Sequence, residues 1–188
     1  MTKICITGSL ASGKSSVIKS LSKKKYHVFS ADKIVSKLYS KRSFHKILVR
    51  ELKIPKTSNI KEEVKKFILI KKNNLKKLEK IIHPLVRKEM KKFTKTYYKR
   101  KVIFFEIPLL AESKLKNFFD VTILVLAPKN LRLKRYLKRG GKKKIFQLLD
   151  NRQLNDREKK RNSDYLIVNN KTIDILKRKA KDIISKYE

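Results

Sequence analysis

The chain has little acid to balance its base: 16 Asp and Glu stand against 52 Lys and Arg, a formal net charge of +36. Cysteine is almost missing as well. The single residue, Cys5, excludes a disulfide framework and a cysteine-built metal cluster. It lies in an apolar run, where it reads as a small core residue. Long hydrophobic runs are also absent, and a stretch such as 121–127 is far too short to cross a bilayer. No signal peptide is visible, so a reducing, cytoplasmic compartment is the expectation. Glycine and proline number four each and tryptophan is absent. No linker and no internal repeat divides the chain. What remains, 188 residues of which 40% are hydrophobic, suits one globular domain with a real core.

Taken alone, the charge suggests a nucleic-acid binder. Its distribution argues otherwise. Lysines spread over nearly every expected helix rather than gathering in one patch, and Ile and Asn are abundant. That is the amino-acid drift of an AT-rich genome. No stacking-aromatic motif or DNA-reading module is present, so no specific nucleic acid is expected as a partner. The excess base would still help to attract a polyanionic substrate.

Two of the glycines fall in Gly8-Ser9-Leu10-Ala11-Ser12-Gly13-Lys14-Ser15, which fits G-x-x-x-x-G-K-[ST], a phosphate-binding loop. Its flanks fit too. Residues 2–7 read as a short buried strand rich in β-branched side chains, and 16–24 as a helix with Val17, Ile18 and Leu21 at helical spacing. A strand, a glycine turn and a helix N-terminus place several backbone N–H groups around one anion. Lys14 supplies a point charge for phosphate, and the Ser15 hydroxyl can ligate Mg²⁺.

Further strands are expected at 26–30, 102–105, 121–127 and 165–168, each a nearly continuous apolar run of the kind found in a parallel sheet covered on both faces. Helical segments between them would give right-handed crossovers. The section from 32 to about 99 contains no convincing strand. Leu75, Leu78, Ile82, Leu85 and Val86 follow helical spacing there, which predicts a helical insert over one end of the sheet, interrupted at His83-Pro84.

In an open α/β sheet the carboxyl ends of the strands face the ligand. Asp32 follows the second strand and can accept or orient the proton of an attacking hydroxyl, or cap a helix. Glu106 ends the third strand, where phosphate-loop enzymes place a group near Mg²⁺ and its waters. Arg132, Arg135 and Arg139 share one helical face before Gly140-Gly141, a possible hinge. Of these only Arg139 is taken as functional, neutralising charge on a transferring phosphoryl group from a lid. The other two read as a solvated basic face. His83 reads more readily as a structural, hydrogen-bonded residue than as a catalyst, and no second histidine or cysteine lies at metal-ligand spacing.

Together these residues resemble the dephospho-CoA kinase family over nearly the whole chain. The family's loop T-G-G-I-G-S-G-K-S corresponds to Thr7 through Ser15. Its D-A-D matches Ser30-Ala31-Asp32, its L-E-x-I-x-H-P matches Leu78 through Pro84, and its P-L-L-x-E matches Pro108 through Glu112. Its R-x-x-x-R matches Arg135 and Arg139, and its tail matches Gln153 followed by Asp164, Tyr165, Ile167 and Asn169. Departures are Ser9 and Ala11 for glycines, Ser30 for the first aspartate, Ser36 for an arginine, Ile60-Lys61 for an N-R pair, and Arg132 for a glutamine.

The resemblance implies an α/β phosphate-loop kinase with a five-stranded parallel sheet flanked by helices. It implies a core over 1–31, 100–139 and 164–188, a helical substrate insert over about 32–99 and a lid over about 139–160. It implies ATP-dependent phosphorylation of the ribose 3′-hydroxyl of dephospho-CoA, with Mg²⁺. Lys14, Asp32 and Arg139 would be catalytic. Ala11, Ser12, Gly13, Lys14, Ser15 and Ser16 would bind ATP, with Ser15 on the metal. Asp32, His83, Glu106 and Glu112 would hold the acceptor. A monomer is the expectation, although nothing in the sequence fixes the oligomeric state. The loop chemistry alone would serve other small-molecule kinases of the same fold equally well.

Overall fold

The computed structural model describes residues 1–23, 26–108, 110, 115–151 and 153–188. They form two compact units, one of Met1–Ser30 with Tyr97–Glu188 and one of Ala31–Thr96.

The first unit is built on five short runs of β-branched and aromatic residues: β1 (Thr2–Gly8), β2 (Val28–Ser30), β3 (Val102–Glu106), β4 (Val121–Leu126) and β5 (Tyr165–Val168). All pair in parallel in the order β2-β3-β1-β4-β5. β4 is buried at every position, as a central strand covered on both faces must be. Because successive side chains point to opposite faces, Ile4, Ile6, Phe104, Ile123 and Val125 share one face. They pack there with Val17, Ile18 and Leu21 of α1 (Lys14–Lys23) and with Leu176, Ala180 and Ile184 of the last helix, Ile173–Ile184. On the other face Phe105 meets Phe29, Phe118 and Phe119, with ring centroids 5.2–5.6 Å apart. Burying one such phenylalanine stabilises the fold by about 1.5–3 kcal/mol. Cys5 lies in this sheet, fully buried, and burial pushes its thiol well up despite a backbone hydrogen bond at Ile107.

The second unit is helical throughout: α2 (Ala31–Tyr39), α3 (Arg42–Leu52), α4 (Ile60–Ile70) and α5 (Lys72–Thr96). Phe44, Leu48, Leu52, Ile60, Val64 and Leu78 form its core. Asn59 caps α4 by accepting from the Glu62 amide. The interruption expected at His83-Pro84 does not occur. α5 runs unbroken for 25 residues with Pro84 inside it. An interior proline costs about 3 kcal/mol through its missing N–H and its clash with the preceding turn. Buried Leu78 before it and buried Val86 and Met90 after it hold the two halves in line.

After β4 the chain continues through α6 (Lys129–Lys138), α7 (Lys143–Asp150) and α8 (Asp156–Arg161) to β5, and ends in α9 (Ile173–Ile184). Asn155 caps α8 and Thr172 caps α9. No helix among the described residues is long and apolar enough to cross a membrane.

Candidate active site

The carboxyl ends of β1, β2, β3, β4 and β5 carry Gly8, Ser30, Glu106, Leu126 and Val168 at one edge of the sheet. Such an edge is where open α/β sheets bind ligands. The phosphate-loop motif leaves β1 there, between β3 and β4, and turns into α1.

The turn needs its glycines. Gly8 has φ +146° and Gly13 φ +112°; a Cβ at Gly8 would stand 2.1 Å from the Val125 carbonyl oxygen, and one at Gly13 2.2 Å from the Asn169 amide nitrogen. Ala11 also adopts a left-handed conformation, φ +59°, although it is not glycine. Lys14 opens α1 and folds back over the turn. Its buried Nζ donates to the carbonyls of Gly8 (2.6 Å) and Ser9 (3.0 Å). Ser12 Oγ is buried with no hydrogen-bond partner among the described residues. Ser15 is exposed on the first turn of α1, and Ser16 donates its amide to the Gly13 carbonyl at 3.0 Å.

Basic side chains converge on this turn from later elements. Arg132, 6% exposed, donates from Nε to the Ala127 carbonyl (3.1 Å) and from Nη1 to the Leu10 carbonyl (3.4 Å) and the Asp150 carboxylate (2.5 Å). Its guanidinium lies over the Phe146 ring. Asp150 also pairs with Lys129. Burial pushes the Asp150 carboxyl up, but hydrogen bonds and charge from Arg132 and Lys129 outweigh it and hold the group below its ordinary range. Arg135 donates to the carbonyls of Ser12 (3.5 Å) and Asn169 (3.2 Å). Asn169 follows β5 and donates its side-chain amide to the Ser12 carbonyl at 2.7 Å. From α8, Lys159 reaches Ser9.

Glu106 ends β3 half-buried and accepts the Ser30 hydroxyl at 2.9 Å. The two residues are in register across β2 and β3. A second carboxylate at position 30 would repel Glu106; the serine there is a donor instead.

Not every expected residue gathers at the turn. Ala11, Ser12, Gly13, Lys14, Ser15 and Ser16 do, and Glu106 stands at the neighbouring strand end. Arg139 caps the C-terminus of α6 with its side chain exposed, and among the described residues no hydrogen bond or ion pair holds that side chain. Gly140 beyond it has φ +82° and open space around it. Arg132 and Arg135, read from sequence as a solvated face, are the arginines that bond the turn. Asp32 and His83 belong to the helical unit. Asp32 lies inside the first turn of α2, favourable to the helix dipole, rather than one residue before it as a cap. His83 sits within α5, where burial pulls its pKa down, Glu79 raises it and Arg87 lowers it further. Glu112 lies outside the described residues.

Asn169, matched to the family's tail but given no role there, and Lys159, not singled out at all, are the contributors beyond the expected set. Asn169 follows a strand at the ligand edge, and that position was the available signal. Lys159 carried none in a chain so rich in lysine.

Known proteins resemble this chain over most of its length. The family model for dephospho-CoA kinase matches residues 2–174. The chain is 34% identical to a dephospho-CoA kinase of Bartonella henselae over 181 residues, covering 93% of this chain and 92% of that one. It is 33% identical to one of Fusobacterium nucleatum over 185 residues, covering 94% of each. The solved dephospho-CoA kinase of Campylobacter jejuni superposes with a TM-score of 0.70 at 25% identity, over 98% of this chain and 96% of that one. With its five-stranded parallel sheet and its phosphate loop between β1 and α1, the chain belongs to the dephospho-CoA kinase family.

Proposed function

We propose that this chain carries out its family's reaction with the glycine turn as its nucleotide site. The γ-phosphoryl group of ATP passes to the ribose 3′-hydroxyl of dephospho-CoA, giving coenzyme A and ADP. The observation that carries the reading is the turn itself: Gly8 and Gly13 in conformations only glycine takes freely, opening onto the start of α1, with the Lys14 ammonium over them. Helix-start amides and a lysine are what a polyphosphate needs. Lys14 would exchange its carbonyl partners for phosphate oxygens.

The donor set also suits Mg²⁺. No three His, Cys, Asp or Glu side chains converge among the described residues. A magnesium ion carried on a nucleotide needs only one or two protein oxygens, and Ser15 offers a hydroxyl at the exposed helix start. Ser15, with Glu106 behind the waters, would hold Mg²⁺, which when bound neutralises charge on the β- and γ-phosphates.

Asp32 orients the 3′-hydroxyl and takes its proton as that oxygen attacks the γ-phosphorus and the bond to ADP breaks. Arg139, beside Gly140 with its open surroundings, closes over the transferring group. His83, Glu106 and Glu112 hold the acceptor. The reading implies a cytoplasmic enzyme acting as a monomer.

The test is ADP release measured with dephospho-CoA against AMP, other nucleotides and nucleosides as acceptors. Dephospho-CoA should be strongly preferred. Lys14→Ala should fold and lose roughly a hundredfold or more in kcat/KM. Near-normal turnover in that variant would sink the assignment of the turn, and preference for another acceptor would sink the substrate.

A further inference from the structure

The far tip of the phosphate loop, Ser9 and Leu10, is held by the segment that follows α7. Lys159 of α8 is only 5% exposed, and Ser9 only 1%. The Lys159 ammonium donates to Ser9 Oγ at 2.9 Å and to Gln153 Oε1 at 3.0 Å. The same Gln153 oxygen accepts the Leu10 amide at 3.2 Å. One carbonyl oxygen with two lone pairs thus ties the loop's backbone to the buried lysine. Ser9 Oγ passes the chain on by donating to Asp156 at 3.4 Å. Arg132 holds the Leu10 carbonyl from the other side.

A buried lysine is rare because removing its charge from water is costly. This one spends its hydrogen bonds on a loop that needs holding. Ser9 and Ala11 carry side chains where the family's loop pattern has glycine, and Ala11 is in the left-handed region at φ +59°. Left-handed backbone persists in a non-glycine residue only when surrounding contacts over-determine it. Ser9 would have no hydroxyl to offer if it were glycine, so the departure supplies its own anchor point.

We propose that Lys159 is a positioning residue for phosphoryl transfer: through Ser9 and Gln153 it fixes the tip of the phosphate loop in the shape that receives the nucleotide. It touches neither reacting group. A loop whose backbone is fixed in advance presents the helix-start amides without reorganising when ATP arrives, leaving only the Lys14 side chain to exchange partners. The inference rests on this loop being the ATP site.

The experiment uses the full chain and reads KM for ATP, KM for dephospho-CoA, and ADP affinity by calorimetry. The variants are Lys159→Met, Ser9→Gly, the two combined, and Lys14→Ala. Lys159→Met should stay folded and raise the ATP KM and the ADP dissociation constant about tenfold, as expected for a lost charge-assisted bond. The dephospho-CoA KM should stay within twofold. Ser9→Gly should give a smaller rise, and the double variant should be no worse than Lys159→Met alone, because both cut the same link. An unchanged ATP KM in folded Lys159→Met overturns the proposal, as do multiplying effects or an equal rise in both KM values. Normal ADP binding in Lys14→Ala would instead overturn the nucleotide assignment beneath it. If Lys159→Met does not fold, Ser9→Gly and Gln153→Ala carry the test: a threefold or larger rise in ATP KM alone supports the link, and no rise refutes it.

Discussion

Replacing Gly13 by alanine should damage the loop by an amount the geometry allows to be worked out. Gly13 has φ +112°, a region that costs an L-residue roughly 1–3 kcal/mol. The new Cβ would also stand 2.2 Å from Asn169 Nδ2 and 3.2 Å from Leu176 Cδ2. Asn169 cannot stay where it is. Retreating breaks its 2.7 Å bond to the Ser12 carbonyl and disturbs the Arg135 contact at its own carbonyl. Leaving those buried groups unpaired costs roughly a further 1–3 kcal/mol. The sum is roughly 2–6 kcal/mol, a large share of a typical domain's stability. For a chain of this length that lowers the melting temperature by about 10 °C. Thermal and urea melts of Gly13→Ala, Asn169→Ala and the double variant would measure it. Asn169→Ala removes the obstacle, so the double variant should be no less stable than Gly13→Ala alone. A Gly13→Ala protein melting within about 2 °C of wild type would refute the reasoning, and so would fully additive losses.

Three more outcomes are expected. Asp32→Asn keeps the shape but loses basicity, so kcat should fall steeply with little change in the ATP KM; a raised ATP KM at constant kcat would move Asp32 to the nucleotide side. Asp150→Asn leaves the buried Arg132 guanidinium without its carboxylate and should destabilise by roughly 3 kcal/mol at neutral pH. Since the folded Asp150 pKa is depressed, that stability is present above the ordinary carboxylate value of about 3.9 and fades as pH falls through it towards the lower folded value. The gap between wild type and variant in acid melts should therefore close below about pH 4 and stay constant above about pH 5. Excess duplex DNA or RNA at physiological salt should leave the kinase rate nearly unchanged, since weak low-salt binding follows from the charge alone. A tight complex that blocks turnover would show that the basic surface has a partner.

Much of the fold was legible because its signals are local. Residues 121–126 are a β-branched run long enough for one strand, and whatever lies beside them they must be buried on both faces. The phosphate loop was legible for the same reason: Gly8 and Gly13 are needed by the backbone of that turn, and Lys14 is their neighbour in the chain. Asp32, by contrast, stands two positions past the cap of α2, so the capping alternative fails, since helix ends are set by contacts as much as by the capping side chain. Pro84 misled further. A local rule stops a helix there, but burial of Leu78, Val86 and Met90 on either side carries α5 through.

By itself, then, the sequence determined the parallel strands, the helical section between β2 and β3, and a glycine turn between β1 and α1, because each depends on residues within a few positions of one another. Only the tertiary structure decided which basic groups serve that turn. Arg132 and Arg135 face it while Arg139 faces solvent, and spacings of three and four on one helical face could not separate them. Lys159 meets Ser9 across 150 positions of chain, and Asn169 meets Ser12 across 157. Such contacts exist because β5 closes the sheet beside β4 and brings the chain back to its own beginning, a pairing that no local pattern of side chains encodes.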